Sequence, residues 1–286
     1  MSRIVYVNGA YLPEEEATIS IFDRGFVFGD GIYEVSAVIG GKLVDCEAHL
    51  ERLERSAREI GLALPCSRDE LVAIHRELIS RNGLDEGGIY LQVTRGAADR
   101  DFPFPPAGTR PTLVLFTQAR NFVDAPSVKT GIKVVSTPDL RWARRDIKSV
   151  NLLAPVLAKQ FAAENGAQEA WLLEGEMVTE GASSTAWIVK GKTLVSRPLS
   201  NKVLPGITRR AVLAYIAESG FTFEEREFSL QEALDADEAF ITSATSLVMP
   251  VTSIDGHTVH NGAPGPTSLR LREIYVDFAR KGGVLG

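Results

Sequence analysis

The sequence RDIKSVN, residues 145–151, lies between a stretch that predicts a strand, residues 131–135, and one that predicts a helix, residues 152–165. Its central residue is Lys148. On local sequence alone, a lysine here is most simply a solvated loop charge. To act as a nucleophile, its amine must be neutral for part of a reaction cycle, so burial or nearby cations must lower its pKa from about 10.4. The chemistry of Lys148 therefore depends on partners elsewhere in the chain.

One candidate partner is the carboxylate of Glu180. This residue stands where the predicted strand VTE gives way to the small residues GASS, residues 181–184. Small residues let the backbone approach a flat ring of a bound molecule closely. If that ring contains a pyridine nitrogen, a carboxylate beside it keeps the nitrogen protonated. An ordinary turn residue is the alternative interpretation.

A candidate anion site follows further along the chain. The segment LPGITRR, residues 204–210, places a Pro-Gly pair just ahead of a predicted helix at 207–219. Free N–H groups at Ile207 and Thr208 would face an anion at the positive end of the helix dipole. A plain Pro-Gly entry into a surface helix explains the same pattern. The segment TSATS, residues 242–246, adds hydroxyls and amides after another predicted strand.

These signals occur together and in one order, and that combination resembles the fold type IV transaminases that use pyridoxal 5′-phosphate (PLP). The resemblance extends from one end of the chain to the other. The segments that carry it are FGDGIYEV (28–35), HLERL (49–53), QVTRG (92–96), DIKSVNLL (146–153), VTEG (178–181), LPGITR (204–209) and TSATS (242–246).

The resemblance implies a role for each matching residue. Lys148 would carry the cofactor and act as the catalytic residue, and Glu180 would contact the pyridine nitrogen. Leu204 would pack behind the ring, and Tyr33 would line the substrate pocket. The residues expected around the phosphate are Arg52, Ile207, Thr208 and Thr245.

Within this family, YLQVTRG (90–96) and DIKSVNLLA (146–154) look most like D-amino-acid transaminases. Those enzymes hold the substrate carboxylate with an arginine, a histidine and a tyrosine, and the arginine and histidine come from a loop of the partner subunit. Arg100 matches the arginine, but Phe102 stands at the histidine position. A phenyl ring cannot donate a hydrogen bond to a carboxylate. A site that accepts amines lacking a carboxylate is therefore an open alternative.

The expected activity is therefore transamination of D-amino acids, such as D-alanine or D-glutamate, with 2-oxo acids such as pyruvate or 2-oxoglutarate. Aminodeoxychorismate lyases, branched-chain aminotransferases and (R)-amine transaminases share the cofactor residues and remain alternatives. A protein that binds PLP without catalysis is the non-enzyme alternative.

Local sequence also predicts two hairpins and the limits of one helix. The pairs Asn8-Gly9 and Gly40-Gly41 predict hairpin turns. Ser67 is the predicted N-cap of a helix that ends near Gly83.

The apolar pattern predicts an α+β chain with two domains, because its rhythm breaks at residues 119–127. Residues 1–118 and 128–286 are the predicted domains, and 119–127 is the predicted linker. The resemblance implies a small α/β N-terminal domain and a larger, mixed, β-barrel-like C-terminal domain that binds PLP.

Composition narrows the classes of partner. A net charge of −6 without runs of Lys or Arg gives no basic stripe for nucleic acid. No stretch approaches the ~20 apolar residues of a membrane span, so a cytoplasmic location is expected. The two cysteines lack CxxC spacing, and His257 and His260 lack a third ligand, so no metal site is predicted. The resemblance implies a homodimer.

Overall fold

The structure is a computed structural model that describes residues 2–281, without the side chains of residues 217–219. Its elements divide between two compact units. The first consists mainly of residues up to Asn121 together with the separate segment Ile147–Asn151, and the second of Phe122–Asp146 and Leu152–Phe278. The domain limits at 118 and 128 stay a prediction, since compactness does not test independent folding. Residues 1 and 282–286 of the predicted domains lie outside the described residues.

The first unit contains its elements in the following order: β1 (Ile4–Val7), β2 (Ala10–Pro13), α1 (Arg24–Phe28), β3 (Gly31–Ile39), β4 (Lys42–Leu43), α2 (Cys46–Glu59), α3 (Arg68–Asn82), β5 (Gly87–Thr94) and β6 (Thr112–Ala119).

The strands of this unit form an antiparallel sheet in the order β2-β1-β6-β5-β3-β4, as far as residues 2–281 show. The predicted hairpin at Asn8-Gly9 is confirmed, with β1 and β2 on either side. Both turn residues have positive φ, 50° and 105°, which a tight hairpin of this kind requires. The predicted hairpin at Gly40-Gly41 joins β3 and β4 and is likewise confirmed.

Helices α2 and α3 cover one face of this sheet. Ser67 caps α3 through a capping box with Glu70, and Gly83 ends it in the left-handed conformation, so the predicted limits of this helix are confirmed. Apolar side chains from both helices and from the sheet are buried together, which fixes the helices on that face. They include Leu50, Leu53, Leu71, Leu78, Ile32, Ile89, Leu91 and Leu115.

The second unit contains the remaining elements: α4 (Ser127–Thr130), β7 (Ile132–Pro138), α5 (Leu153–Glu164), β8 (Glu169–Glu174), β9 (Met177–Gly181), β10 (Thr185–Lys190), β11 (Thr193–Ser196), α6 (Ile207–Ser219), β12 (Thr222–Glu225), α7 (Leu230–Leu234), β13 (Glu238–Ser243), β14 (Leu247–Ile254), β15 (His257–Thr258) and α8 (Pro266–Arg280).

The sheet of the second unit is mixed. Its order is β12-β11-β10-β13-β14-β7-β8-β9, and β15 pairs with β14. The pairs β11–β12, β14–β7 and β7–β8 are parallel. Strand β9, last in the order, also contacts β10, so the sheet curls back on itself. The α+β fold with a curled second sheet is the predicted one. None of the helices seen between residues 2 and 281 has the length and apolar character needed to cross a membrane.

Candidate active site

Lys148 is positioned by main-chain hydrogen bonds to the edge of β3. Strand β4 pairs with β3 only at its far end, so the edge at Gly31–Tyr33 is open to another segment. The Tyr33 N–H donates to the Lys148 carbonyl at 3.0 Å, and the Val150 N–H donates to the Gly31 carbonyl at 3.0 Å. The Lys148 N–H donates to the Ser56 hydroxyl on α2 at 3.3 Å. These bonds hold the backbone on both sides of the lysine side chain.

Gly29 permits the close approach of this segment. Its φ is 69°, in the left-handed region where it ends α1. A Cβ added there would collide with the side-chain oxygen of Asn151, three residues after Lys148. The left-handed backbone and the nearby Asn151 side chain therefore both favour glycine at position 29 of the FGDG motif.

The Lys148 side chain is half-buried, and its Nζ lies 4.2 Å from the centroid of the Tyr33 ring. Within the described residues it makes no ion pair with a carboxylate. The Tyr33 ring stacks in turn on Tyr90 at 5.5 Å, and Tyr90 stacks on Phe116 at 4.9 Å. This aromatic row fixes the ring against which the lysine rests.

Arg52 lies on α2 and is bound by the carboxylate of Glu34 on β3. Its Nε and Nη2 donate to the two carboxylate oxygens, both at 2.8 Å, and His49 Nδ1 lies 2.7 Å from the same carboxylate. Burial alone would raise the pKa of Glu34, but Arg52 and then His49 outweigh it and lower this pKa to about 2. Arg52 is thus a cation whose position is fixed within the first unit.

Glu180 lies near the end of β9 in the second unit, and only 3% of it is exposed. Burial raises its pKa, although two contacts oppose that effect. Arg141 Nη1 donates to one carboxylate oxygen, and the Leu204 N–H lies 3.2 Å from both. Arg141 and the Leu204 N–H hold the Glu180 carboxylate in place, but they do not fully offset the effect of burial on its pKa.

The charge of Arg141 is shared with a second carboxylate, that of Asp139. Arg141 Nε and Nη2 donate to Asp139 at 2.9 and 2.6 Å, and the Thr179 hydroxyl donates to it at 2.7 Å. Burial opposes the ionisation of Asp139, but Arg141 outweighs it and lowers the pKa of that carboxyl. Arg141, Arg144 and Arg145 all lie near Lys148 in sequence, and the sequence alone does not rank them as cations of the site. In the structure Arg141 contacts Glu180, whereas Arg144 contacts Asp146, and Arg145 contacts Glu174 at 2.6 Å and Asp139 at 3.3 Å.

The N-terminus of α6 has the features of an anion site. Gly206 precedes the helix, and no side chain caps its first turn. Ile207 and Thr208, which begin the helix, are buried. A Cβ at Gly206 would lie 2.8 Å from the Thr185 hydroxyl, so the chain passes that residue closely. Helix N–H groups without a cap favour a bound anion.

Thr245 and Leu204 complete the predicted cofactor residues of the second unit. Thr245 is exposed in the turn between β13 and β14. The next strand begins at Leu247, a non-glycine residue with a φ of 57°. Leu204 is half-buried, and its N–H is directed at Glu180.

Arg100 is exposed on the loop between β5 and β6. Its guanidinium carbon lies 5.2 Å from the centroid of the Phe28 ring and 5.5 Å from that of Phe102. Sequence reasoning gave no role to Phe28. The only signal was an aromatic residue directly before the glycine that ends α1.

The predicted residues thus divide between the two units. Lys148, Tyr33, Arg52 and Arg100 belong to the first unit, and Lys148 contacts Tyr33 there. Glu180, Leu204, Ile207, Thr208 and Thr245 belong to the second, and Glu180 contacts Leu204 there. Sequence reasoning missed Glu34, Asp139 and Ser56, whose positions become informative only through their contacts.

Comparison with known proteins gives relatives that extend over nearly the whole chain. A D-alanine aminotransferase of Staphylococcus epidermidis is 41% identical over 271 residues, which cover 94% of this chain and 95% of the relative. A D-alanine aminotransferase of Bacillus licheniformis is 42% identical over 270 residues, which cover 94% of each.

Solved structures share the fold. A branched-chain amino acid aminotransferase of Escherichia coli has a TM-score of 0.91 at 24% identity, across 99% of this chain and 97% of that chain. A branched-chain aminotransferase of the archaeon Thermoproteus uzoniensis, solved with norvaline, has a TM-score of 0.87 at 24% identity, across 99% and 96%. Residues 31–254 match the family profile described as Amino-transferase class IV. The chain belongs to the class IV aminotransferases, whose cofactor is PLP.

Proposed function

We propose that this aminotransferase moves amino groups between D-amino acids and 2-oxo acids, with Lys148 as the residue that carries PLP. The observation that carries the proposal is the similarity, at above 40% identity across nearly the whole chain, to proteins named D-alanine aminotransferase. The solved neighbours named branched-chain aminotransferases are less similar in sequence, so they support the fold and not the substrate.

PLP presents three groups to a protein, and the residues of this chain suit each of them. The aldehyde requires an amine without a carboxylate partner, which fits Lys148. The pyridine nitrogen requires a buried carboxylate, which fits Glu180. The phosphate requires uncapped helix N–H groups and a cation, which fits Ile207 and Thr208 at the start of α6. Arg52 and Thr245 are proposed at the phosphate, and Leu204 behind the ring.

When bound, PLP withdraws electrons from the substrate Cα through its protonated ring. The residues proposed here support that chemistry in separate ways. Lys148 Nζ would take the proton from the substrate Cα as general base and deliver it, as general acid, to C4′ of the cofactor. The Glu180 carboxylate holds the proton on the ring nitrogen. Tyr33 and Arg100 orient the substrate, and Arg100 binds its carboxylate.

A homodimer is proposed as the functional unit. Helix α5 exposes apolar side chains at three- and four-residue spacing, which suits burial against a second copy. They are Leu153, Val156, Leu157 and Phe161. Sedimentation of the wild type and of Leu157→Asp tests this, and a monomer with full activity would contradict it. A cytoplasmic location is also proposed, since Cys46 and Cys66 are both free.

The substrate proposal is tested by the visible absorbance of the protein loaded with PLP. D-alanine, D-glutamate, L-leucine and (R)-1-phenylethylamine are added separately, without an amino acceptor. Loss of the visible band with the two D-amino acids, and not with L-leucine, supports the proposal. Bleaching by L-leucine alone would move the assignment to branched-chain amino acids. Release of pyruvate from aminodeoxychorismate without an amino acceptor would indicate a lyase. Binding of PLP without any half-reaction would indicate a PLP-binding protein that is not an enzyme.

The role of Lys148 is tested by Lys148→Ala. Borohydride reduction of the loaded wild type should add one cofactor mass to the peptide that contains Lys148, and the variant should gain none. Transamination should fall by at least about 10⁴-fold, because the variant loses both the covalent attachment and the proton carrier. Lys159→Ala, which removes a lysine on α5 that pairs with Glu169 at 3.3 Å, is the control and should retain both properties.

A second candidate activity, towards (R)-amines, is favoured by one observation. Phe102, at the position where related enzymes place a histidine, offers no hydrogen bond to a carboxylate. A strong response to (R)-1-phenylethylamine in the absorbance experiment would establish this activity.

A further inference from the structure

Arg100 rests against two phenyl rings. The Arg100 guanidinium carbon and the ring centroids of Phe28 and Phe102 form a nearly equilateral triangle, with sides of 5.2, 5.5 and 5.5 Å. Both distances from the cation lie within the range of cation–π attraction. The two rings therefore lie on the same side of the guanidinium, and Arg100 as a whole is exposed. We refer to Phe28 and Phe102 together as the aromatic corner.

The charge of Arg100 is not neutralised by the protein. Among the residues described, 2–281, no carboxylate forms an ion pair with it and no acceptor takes a hydrogen bond from it. Acids flank Arg100 on both sides in sequence, and one of them, Asp101, accepts instead from the Phe102 N–H at 2.8 Å. A guanidinium presents parallel N–H groups that match a carboxylate in two-point contact. An exposed arginine held only by ring faces retains that capacity.

A buried arginine, Arg24, fixes the corner to the rest of the unit. Arg24 Nη1 and Nη2 donate to the carbonyls of Asp101 and Phe102 at 2.7 and 3.3 Å, and Nε donates to Asp30 at 2.8 Å. Its guanidinium carbon also lies 4.6 Å from the Phe28 ring centroid. One buried side chain therefore holds both the backbone at Phe102 and the Phe28 ring.

We infer that the aromatic corner holds Arg100 ready for a substrate carboxylate, and that Phe102 is a positioning residue that acts through this arginine. The inference rests on the proposed function, in that the ligand is the carboxylate of the amino acid or oxo acid. At the position where related enzymes have a histidine that donates a hydrogen bond, Phe102 instead provides a ring that orients Arg100. If Phe102 orients Arg100 in this way, the site prefers carboxylates, which is the opposite of what the (R)-amine activity requires.

The test compares Phe102→Leu, which keeps apolar volume, with Phe102→Tyr, which keeps the ring. Phe102→Leu should raise the KM for D-alanine about fivefold, with kcat within about twofold of the wild type. The dissociation constant of propionate, an unreactive carboxylate measured by calorimetry, should rise by a similar factor. Activity with (R)-1-phenylethylamine should not change. Phe102→Tyr should restore the wild-type values.

Phe104→Leu is the matched control on the same loop. The Phe104 ring contacts a different arginine, Arg95, whose guanidinium carbon lies 3.7 Å away and whose N–H groups already bond Asp30 and two carbonyls. Propionate binding should stay within about twofold in this variant. The inference fails if the wild type does not bind propionate, or if Phe102→Leu affects carboxylate and amine alike. A wild type that prefers L-amino acids would refute the proposed substrate, while propionate binding would still report on the corner.

Discussion

Two buried carboxylates, Glu34 in the first unit and Glu180 in the second, are similarly enclosed and yet ionise differently. Their exposed fractions are 2% and 3%, and each contacts an arginine. Nevertheless, the pKa of Glu34 is lowered to about 2, whereas burial raises that of Glu180. Burial opposes ionisation at both sites, so the difference must come from their partners.

The partners differ in how much positive charge each carboxylate receives. Glu34 takes two hydrogen bonds from Arg52 and a further contact from His49. Arg141 contacts Glu180 through one nitrogen and directs two others to Asp139, whose negative charge itself raises the pKa of Glu180. Glu34 is consequently a permanent anion that holds α2 to β3. Glu180 is a carboxylate able to share a proton with a neighbouring nitrogen.

The largest effect is expected from Glu34→Gln, which leaves Arg52 and His49 beside a neutral amide. Moving a pKa from 4.5 to about 2 corresponds to about 3 kcal/mol, at about 1.4 kcal/mol for each pKa unit. A lowered carboxyl pKa stabilises the fold above pH 4.5, and this contribution is lost as the pH falls towards 2. The variant should therefore be less stable by about 3 kcal/mol at pH 7, and the difference should shrink between pH 4.5 and 2.

Urea unfolding followed by circular dichroism at several pH values measures this. Glu47→Gln is the matched control, because Glu47 lies on α2, the helix that carries Arg52, and pairs with Arg68 at 3.2 Å in an exposed position. Exposed pairs contribute about 0–1 kcal/mol, so the control should differ little from the wild type. A loss of stability in Glu34→Gln that did not depend on pH would mean that shape rather than charge matters at this position.

Glu180→Gln should have the opposite profile, with a large effect on activity and a small one on stability. The fold gains little from the ionised form of a group whose pKa is raised. The free energy of unfolding at pH 7 should therefore stay within about 1 kcal/mol of the wild type. Transamination should fall about 100-fold, the size typical of removing one electrostatic contact to a reacting centre.

The control for this variant is Glu238→Gln. Glu238 is also buried in the second unit, but it accepts from the N–H groups of Thr267 and Ser268 at the start of α8. Its loss should lower stability and leave kcat for the remaining folded enzyme unchanged. If Glu180→Gln kept full activity, Glu180 would not be the residue at the pyridine nitrogen.

Sequence alone predicted the parts of the fold that depend on neighbouring residues. The Asn8-Gly9 turn and the Ser67 cap of α3 are each set within four residues, and both were placed correctly. Strand β12, with the sequence TFEE, was not predicted, because a short polar edge strand has neither alternation nor an apolar run. Its position depends on parallel pairing with β11, which no local pattern encodes.

In the candidate site, too, the sequence predicted the features set by neighbouring residues and missed those set by contacts between distant residues. The resemblance supplied Lys148, Glu180 and Arg100, whose motifs are contiguous in sequence. It did not distinguish Arg141 from Arg144 and Arg145, because the contact between Arg141 and Glu180 spans 39 residues. That contact depends on how β8 pairs with β7 and β9 with β8. The role of Phe28 likewise follows from a contact with the loop that carries Arg100.

The smallest effect, and the most specific, is expected from Arg141→Met. Arg141 lowers the pKa of Glu180, so its removal should raise that pKa further. A smaller share of Glu180 would then be ionised at a given pH, so transamination should fall, by about tenfold at pH 7. Because a raised carboxyl pKa is overcome by higher pH, the ratio of variant to wild-type activity should increase as the pH rises. Single-turnover rates with D-alanine at a series of pH values measure it.

Two further variants make the result specific to the contact with Glu180. Arg141→Lys keeps a cation beside the buried acids, so it should fold even if Arg141→Met does not, and its pH profile should lie between those of the wild type and Arg141→Met. Arg144→Met removes a neighbouring arginine that contacts Asp146 and should keep the wild-type profile. An equal loss of activity at every pH in both Arg141 variants would mean that Arg141 orients Glu180 without setting its charge. The contrast with Glu34 would then rest on geometry alone.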